Sequence, residues 1–140
     1  MPAEMVRADW ISGQVFLLRD HLDFPVVMTQ PQGVLGADLL PLSLAGCSAW
    51  DVMAILRKQR QPVTALTVTA QSVRDPQPPR RFRAIHVHYR FTGQGLDAAH
   101  IRRAIELSEN KYCSIHATLR EVVNITSDFE IVEADTAGAT

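Results

Sequence analysis

The spacing of apolar and polar residues divides the first third of the chain into short extended segments. Runs of apolar and β-branched residues predict strands over 6–10, 14–18 and 24–28. Ser12 and Gly13 supply a turn between the first two strands, and residues 20–23 are a polar break before the third. The pattern therefore predicts an N-terminal β-meander, followed by a loop over 31–33.

A long helix is predicted next, from Asp38 to about Gln61. Asp38 is a plausible N-cap, Pro41 is tolerated in the first turn, and Pro62 stops the helix. A helix that is apolar on nearly all sides is expected to be buried on nearly all sides, and so small a chain can hardly cover it alone. The pattern therefore suggests a homodimer in which the second subunit covers part of this helix. The apolar residues spread around most of the circumference: Leu39, Leu40, Leu42, Leu44, Ala45, Trp50, Val52, Met53, Ile55 and Leu56.

The rest of the chain alternates between strands and helices. The predicted order is a strand over 63–73, a loop over 75–79, a strand over 81–91, a helix capped by Asp97, a helical segment over 112–119 and a strand over 122–132. In the second of these strands the apolar face is Ile85, Val87, Tyr89 and Phe91. Strands, helix, two strands, helix and strand in this order predict an α+β fold.

Size and charge narrow the class of protein. The 140 residues fit a single domain over 1–140, with a flexible tail over about 134–140. A net charge of -1 gives no reason to expect nucleic acid as a partner. The segment 1–10 lacks the apolar core of a signal peptide, and polar residues interrupt the apolar stretch over 39–56, so we expect no membrane span and a cytoplasmic location. In that compartment two cysteines are free thiols or a redox-cycling pair.

Other chemistry has little support in the sequence. His86 and His88 share one face of a strand, but no third ligand stands at a metal-site spacing, so two solvent-facing side chains are the simpler interpretation. Neither a glycine-rich phosphate loop nor a nucleophile elbow is present, and we predict no cofactor. The remaining candidates are Cys47 and Cys113, although free cysteine is commonly an inert core residue.

Two segments carry a resemblance to a known family. Residues 36–52, GADLLPLSLAGCSAWDV, resemble the first-cysteine helix of the OsmC/Ohr family (osmotically inducible protein C and organic hydroperoxide resistance), which typically reads P-x-E-L-L-x-x-A-x-G-x-C-x-x-x-D-V. Residues 112–115, YCSI, are similar to its second-cysteine segment, and the match is nearest to the OsmC-like subgroup. The order, separation and chain length extend the resemblance over essentially the whole chain.

The resemblance implies both a fold and a reaction. It implies an intertwined homodimer with a buried central helix from each subunit, and places Cys47 near Cys113 at the interface. The implied activity is a thiol peroxidase in oxidative stress defence. The Cys47 thiolate attacks an organic hydroperoxide, and the resulting sulfenic acid condenses with Cys113 to a disulfide. A dithiol reductant, lipoyl-type or a small thiol, then reopens the bridge.

The resemblance also suggests the groups around the thiols. The family activates its cysteine with an arginine held by a carboxylate; Asp38 stands at the position of the family's glutamate, and Arg19 lies roughly where the arginine can occur. Asp38 could instead be only a helix cap, and Arg19 only a surface turn residue. Trp50 could wall an apolar substrate pocket and His116 could assist proton transfer, or both could simply pack.

Two other functions stay open. The same dimer could bind a small apolar ligand without turning it over. It could also use its cysteines only as a redox switch. Asp38, shorter than glutamate by one methylene group, and the unfamiliar setting of Arg19 favour the binding module more than they would in a typical family member.

Overall fold

The structure, a computed structural model, describes residues 1–30 and 32–134. Pro31 of the predicted loop, and the predicted tail apart from Ala134, lie outside the described residues. The chain divides into two compact units, Met1–Leu40 and Pro41–Thr140, and we describe each by itself. The single domain over 1–140 stays a prediction.

The first unit is the predicted β-meander. Strands β1 (Arg7–Ser12), β2 (Val15–Arg19) and β3 (Pro25–Thr29) form an antiparallel sheet in the order β1-β2-β3. Gly13 adopts a positive φ of 48° in the first turn, a conformation that glycine reaches without steric cost. The strands match the predicted ones to within two residues at each end.

A 3-10 turn over Gly36–Asp38 leads directly into helix α1 (Leu39–Lys58). Leu35 stands at the N-cap position of this turn, in an extended conformation and without a side-chain cap. The prediction that Asp38 caps the helix is therefore wrong, because helical winding begins two residues earlier. Asp38 lies in the first turn instead, where a carboxylate still interacts favourably with the helix dipole.

The C-terminal end of α1 has a complete two-bond cap. The N–H of Gln61 donates to the carbonyl of Leu56 at 3.0 Å, and that of Arg60 donates to Arg57 at 3.1 Å. Arg60 takes the left-handed conformation, with φ 55°, that this cap requires and that glycine usually supplies. The helix therefore ends at Lys58, four residues before the proline that was predicted to stop it.

The second unit is built on a three-stranded sheet. Strands β4 (Val63–Arg74), β5 (Phe82–Gly93) and β6 (Asn124–Glu133) lie in the order β4-β5-β6, with β4 antiparallel and β6 parallel to β5. A parallel pair needs a crossover, which here consists of α2 (Ala98–Leu107), a π-helical turn (Ser108–Tyr112) and α3 (Ser114–Leu119). The Asp97 side chain accepts from the Ala99 N–H at 2.9 Å, which confirms the predicted cap of the second helix.

The core of this unit forms between α1, β5 and α2. Every second residue of β5 is buried, as the alternation predicts, and so are Ile101, Ala104 and Ile105 of α2. Helix α1 contributes one stripe at four-residue spacing, which consists of Leu44, Ser48, Val52 and Leu56. Only these positions of α1 are fully buried among the described residues of the chain.

In the single chain α1 is covered on one side only, as expected of a chain too small to cover it alone, and burial of its other sides by a second copy stays a prediction. Leu42 is 54% exposed and Trp50 is 80% exposed, so apolar side chains cover much of the open face of the helix. The reason is geometric, since one sheet and one crossover contact only one side of a cylinder. By length and mean hydropathy of 1.6, the segment Gly36–Lys58 would also be apolar enough to cross a membrane, a test that core helices pass as well.

Candidate functional site

The two cysteines meet although they are 66 positions apart in the sequence. Cys47 lies in α1, partly buried, and Cys113 lies between the π-helical turn and α3, 2% exposed. Their sulfurs lie within 4.8 Å of each other and of a carboxylate oxygen of Asp51. Both cysteines are free thiols. The site therefore combines two thiols with one carboxylate.

Local helical geometry accounts for the proximity of Cys47 and Asp51. Cys47 and Asp51 are four residues apart on α1, which places their side chains next to each other on one face. The crossover supplies Cys113. The backbone N–H of Cys113 donates to the carbonyl of Ser108 at 2.8 Å, and this bond closes the π-helical turn under the cysteine.

The surroundings disfavour a thiolate at Cys47. Burial raises the pKa of the Cys47 thiol above its ordinary value of 9.0, and the neighbouring Cys113 and Asp51 act in the same direction. The backbone N–H of Ile115 donates to this sulfur and opposes the increase. Among the described residues that act on the thiol in this way, none is a cation.

Hydroxyl groups complete the site from inside the core. The Ser48 hydroxyl lies 3.9 Å from the Cys113 sulfur, and it also bonds the Tyr89 hydroxyl. Burial raises the pKa of Tyr89 to about 12, so its hydroxyl stays protonated and neutral at physiological pH. The fully buried Ser108 donates its hydroxyl to Asp51 Oδ2 at 3.3 Å. The carboxylate is therefore held in place by a neutral partner.

Arg19 and Asp38 belong to the first unit. Arg19 ends β2 and donates from Nη1 to the carbonyl of Asp23 at 2.9 Å, and its Nε lies 3.7 Å from the Asp23 carboxylate. In the part of the chain that the structure describes, no ion pair joins Arg19 to Asp38. The arginine is thus held by the turn between β2 and β3, and its role as an activating cation stays a prediction, as does the role of Asp38.

Trp50 and His116, predicted to wall the substrate pocket and to assist proton transfer there, lie in different surroundings. Trp50 borders an open depression of about 390 Å³ together with Asp51, Ile55, Leu107 and Tyr112, among others, and neither cysteine is in its lining. His116 lies in α3, and its backbone N–H, not its ring, donates to the Cys113 sulfur at 3.4 Å.

The ring of His116 is an unusual polar group in this part of the chain. Its Nδ1 is buried without a hydrogen-bond partner among the described residues. Burial lowers the pKa of His116, and Arg120 acts in the same direction against Glu109. A ring that is neutral near pH 7 could accept a proton, but no contact of the ring with either sulfur supports its predicted role.

The histidine pair on β5 is part of a polar ladder, not of the thiol site. His86 Nε2 and His88 Nδ1 lie 3.0 Å and 2.6 Å from Asp128 Oδ1, and His88 Nε2 lies 3.4 Å from Glu130. The parallel register of β5 and β6 brings these side chains together on the outer face of the sheet. The expectation of two solvent-facing strand residues fits this arrangement.

Sequence reasoning overlooked three members of the site, namely Asp51, Ser48 and Ser108. A signal existed for Asp51, because it stands four residues after Cys47 and inside the quoted motif. For Ser48, the serine interrupts an otherwise apolar stripe at four-residue spacing. The sequence carried no signal for Ser108, since the position of this residue depends on how the crossover packs.

Two neighbouring thiols on this α+β fold define a class of two-cysteine proteins. Comparison with known proteins identifies the family within that class. Residues 30–128 match the family model described as OsmC-like protein. Protein YhfA of Escherichia coli K12 is 36% identical over 131 residues, covering 91% of this chain and 98% of that protein. The chain belongs to the OsmC-like family.

Solved structures support the fold. A hypothetical protein from Aquifex aeolicus VF5 superposes with a TM-score of 0.85 at 25% identity, covering 96% of this chain and 100% of that one. The organic hydroperoxide resistance protein OhrB of Bacillus subtilis superposes with a TM-score of 0.61 at 12% identity, covering 91% and 98%. The β-meander, long central helix, strands and second helix are those of an OsmC-like α+β fold.

Proposed function

We propose that this protein is a thiol peroxidase that reduces organic hydroperoxides. The observation that carries the proposal is the approach of the Cys47 and Cys113 sulfurs to within 4.8 Å, across 66 positions of sequence. The OsmC-like family gives this pair a chemical context, because a structural relative is named as an organic hydroperoxide resistance protein.

The reaction balances with the two thiols and one external dithiol. The Cys47 thiolate attacks the peroxide, the O–O bond breaks, and the alcohol leaves with a proton. Condensation of the Cys47 sulfenic acid with the Cys113 thiol forms the disulfide and releases water. A dithiol of lipoyl type, or a small thiol used twice, reduces the bridge by exchange. Cys47 is the attacking residue because it is the more exposed of the two sulfurs.

The activating cation has to come from outside the immediate surroundings of Cys47. Neighbouring groups disfavour the thiolate, apart from the Ile115 N–H. Arg19 is our candidate, with Asp38 as the carboxylate that orients it, as the family resemblance implies. We further propose a cytoplasmic homodimer, since exposed Leu42 and Trp50 leave the open face of α1 apolar.

The first test uses intact mass. The reduced protein, kept with a metal chelator, receives one equivalent of cumene hydroperoxide or hydrogen peroxide. We expect rapid loss of two hydrogens per chain, faster with the organic peroxide. Cys47→Ser should abolish the reaction, whereas Cys113→Ser should stop at oxygen adducts of Cys47. Full peroxide consumption by Cys47→Ser would exclude the mechanism.

A matched pair of arginine variants tests the cation. Arg19→Gln should slow the oxidation of Cys47 at least tenfold, by the usual weight of a charge-assisted contact. Arg7→Gln is the control, because Arg7 is also an arginine of the N-terminal sheet and pairs only with Asp9 there among the described residues. Equal rates in both variants and the unchanged protein would remove Arg19 from the proposal while leaving the thiol chemistry intact.

A binding function without peroxide turnover is the second candidate. The observation that favours it is the carboxylate of Asp51 beside Cys47, which opposes thiolate formation. The depression beside Trp50 and Tyr112 offers an apolar wall for a small ligand. A ligand that raises the melting temperature of the reduced protein, without any peroxide consumption, would select this function.

A further inference from the structure

The thiol site has the composition of a zinc site. Cys47 Sγ, Cys113 Sγ and a carboxylate oxygen of Asp51 all lie within 4.8 Å of one another. Thiolate sulfur and carboxylate oxygen are both zinc ligands, and sets of three protein ligands with an open fourth position are found in catalytic and exchangeable zinc sites. Around a tetrahedral zinc two sulfurs lie about 3.8 Å apart, so the ligands would have to close by no more than about 1 Å.

The negative charge of the three candidate ligands also favours a bound cation. With both thiols deprotonated, the site would hold three negative charges in a partly buried space. The groups that face Cys47 are the Cys113 thiol, the Asp51 carboxylate and the Ile115 N–H, and none of these is a cation. A divalent cation would neutralise most of that charge at its source.

Neighbouring groups already hold the ligands in position. Ser108, fully buried, donates to one oxygen of Asp51 at 3.3 Å. The backbone N–H of His116 donates to the Cys113 sulfur at 3.4 Å. Hydrogen bonds of this kind around a metal orient its ligands and reduce the entropy lost on binding. The arrangement differs from a chance pair of cysteines, since two of the three candidate ligands, Asp51 and Cys113, already accept a hydrogen bond from a neighbouring residue.

We propose that the reduced protein binds one Zn²⁺ per chain through Cys47, Cys113 and Asp51, with the fourth position open to an exogenous ligand. Zinc and the disulfide exclude one another, because each uses the same two sulfurs. Bound zinc therefore protects the thiols from oxidation until it is removed. Binding itself does not depend on peroxidase activity, so the two proposals can fail separately.

The test uses the reduced, metal-free full-length protein titrated with Co²⁺ and then with Zn²⁺. We expect one Co²⁺ per chain, with sulfur-to-cobalt charge-transfer absorption in the near ultraviolet and its loss when Zn²⁺ displaces the cobalt. Asp51→Asn should weaken zinc binding at least tenfold while both thiols stay in place. Cys47→Ser should reduce the charge-transfer intensity by about half and weaken binding further.

The control is Asp128→Asn, which dismantles the histidine ladder on β5 and β6, a separate group of imidazole and carboxylate side chains among the described residues. Affinity and absorption should be unchanged in this variant. Cobalt binding without sulfur charge transfer, or binding that Asp128→Asn abolishes and Asp51→Asn leaves intact, would overturn the proposal. Asp51→Asn decides the matter even if Cys47→Ser fails to fold, because it alters a partly exposed side chain and preserves the acceptor for Ser108.

Discussion

Replacing Asp51 by asparagine should make Cys47 more reactive. The carboxylate lies within 4.8 Å of the Cys47 sulfur and raises its pKa, in addition to the larger effect of burial. Asparagine has nearly the same shape and keeps an oxygen that can accept the hydrogen bond from Ser108. The substitution therefore removes charge with little change in packing.

Coulomb's law gives the size of the effect. At 4.8 Å two unit charges repel by about 0.9 kcal/mol in water and by about 3.5 kcal/mol at an effective dielectric constant of about 20. The lower figure alone corresponds to about a fourfold larger thiolate population at neutral pH. A less basic thiolate is also a weaker nucleophile, with a Brønsted slope of about 0.5, so roughly half of the gain on a logarithmic scale is lost. We expect alkylation to accelerate by about twofold at the least and about twentyfold at the most.

The assay is the rate of iodoacetamide alkylation against pH, in low salt and with a chelator. Cys113→Ser provides the background, so that only Cys47 reacts, and Asp51→Asn is added to it. Glu106→Gln is the control, because it removes an exposed carboxylate of α2 that is not among the groups shifting the pKa of Cys47. An unchanged or slower reaction of the Asp51→Asn protein at every pH would refute the electrostatic reasoning.

Three further predictions concern stability and pH. Asp128 and Glu130 raise the pKa of His88, and His88 in turn lowers the pKa of Asp128. The ladder should therefore stabilise the fold between these two pKa values, and its contribution should be lost as pH rises through the folded-state pKa of His88 or falls through that of Asp128. Asp128→Asn should move the His88 NMR titration toward 6.5. Arg60→Gly should stabilise the protein by about 0.5 to 1 kcal/mol, or about 3 °C in thermal unfolding, because relief of left-handed strain of about 1 to 2 kcal/mol exceeds the added chain entropy of glycine. A lower melting temperature in Arg60→Gly would contradict this. Gly93→Ala should destabilise by about 1 to 3 kcal/mol in urea unfolding, because a Cβ at this position would collide with the Pro62 carbonyl; an unchanged midpoint would show that β5 shifts freely there.

Local patterns predicted most of the fold. Period-two alternation located the buried face of β5, and the spacing of Ile101, Ala104 and Ile105 located that of α2. Both follow from geometry within one element. The buried side of α1 could not be found from geometry within the helix, because Leu42 and Trp50 are apolar yet exposed in the single chain. Apolarity indicates what a helix can bury, and only its packing partners decide which side is covered.

The same limit applies to the site. Family resemblance, not spacing, implied that Cys47 and Cys113 would meet, since 65 residues, which include strands β4 and β5, lie between them in the sequence. Helical spacing could have added Asp51, four residues after Cys47. It could not have added Ser108, whose hydroxyl reaches Asp51 only because the crossover packs against α1.

Asp51 connects the two proposals, because its charge has opposite consequences for them. In a peroxidase the carboxylate opposes the thiolate, so some cation must offset it before Cys47 can attack peroxide. In a zinc site the same carboxylate is a ligand. Asp51→Asn should therefore increase thiol alkylation in the metal-free protein and decrease zinc affinity. A residue that only supported the fold would, when replaced, also lower the melting temperature, so these opposite changes at an unchanged melting temperature identify Asp51 as the charge that governs the site.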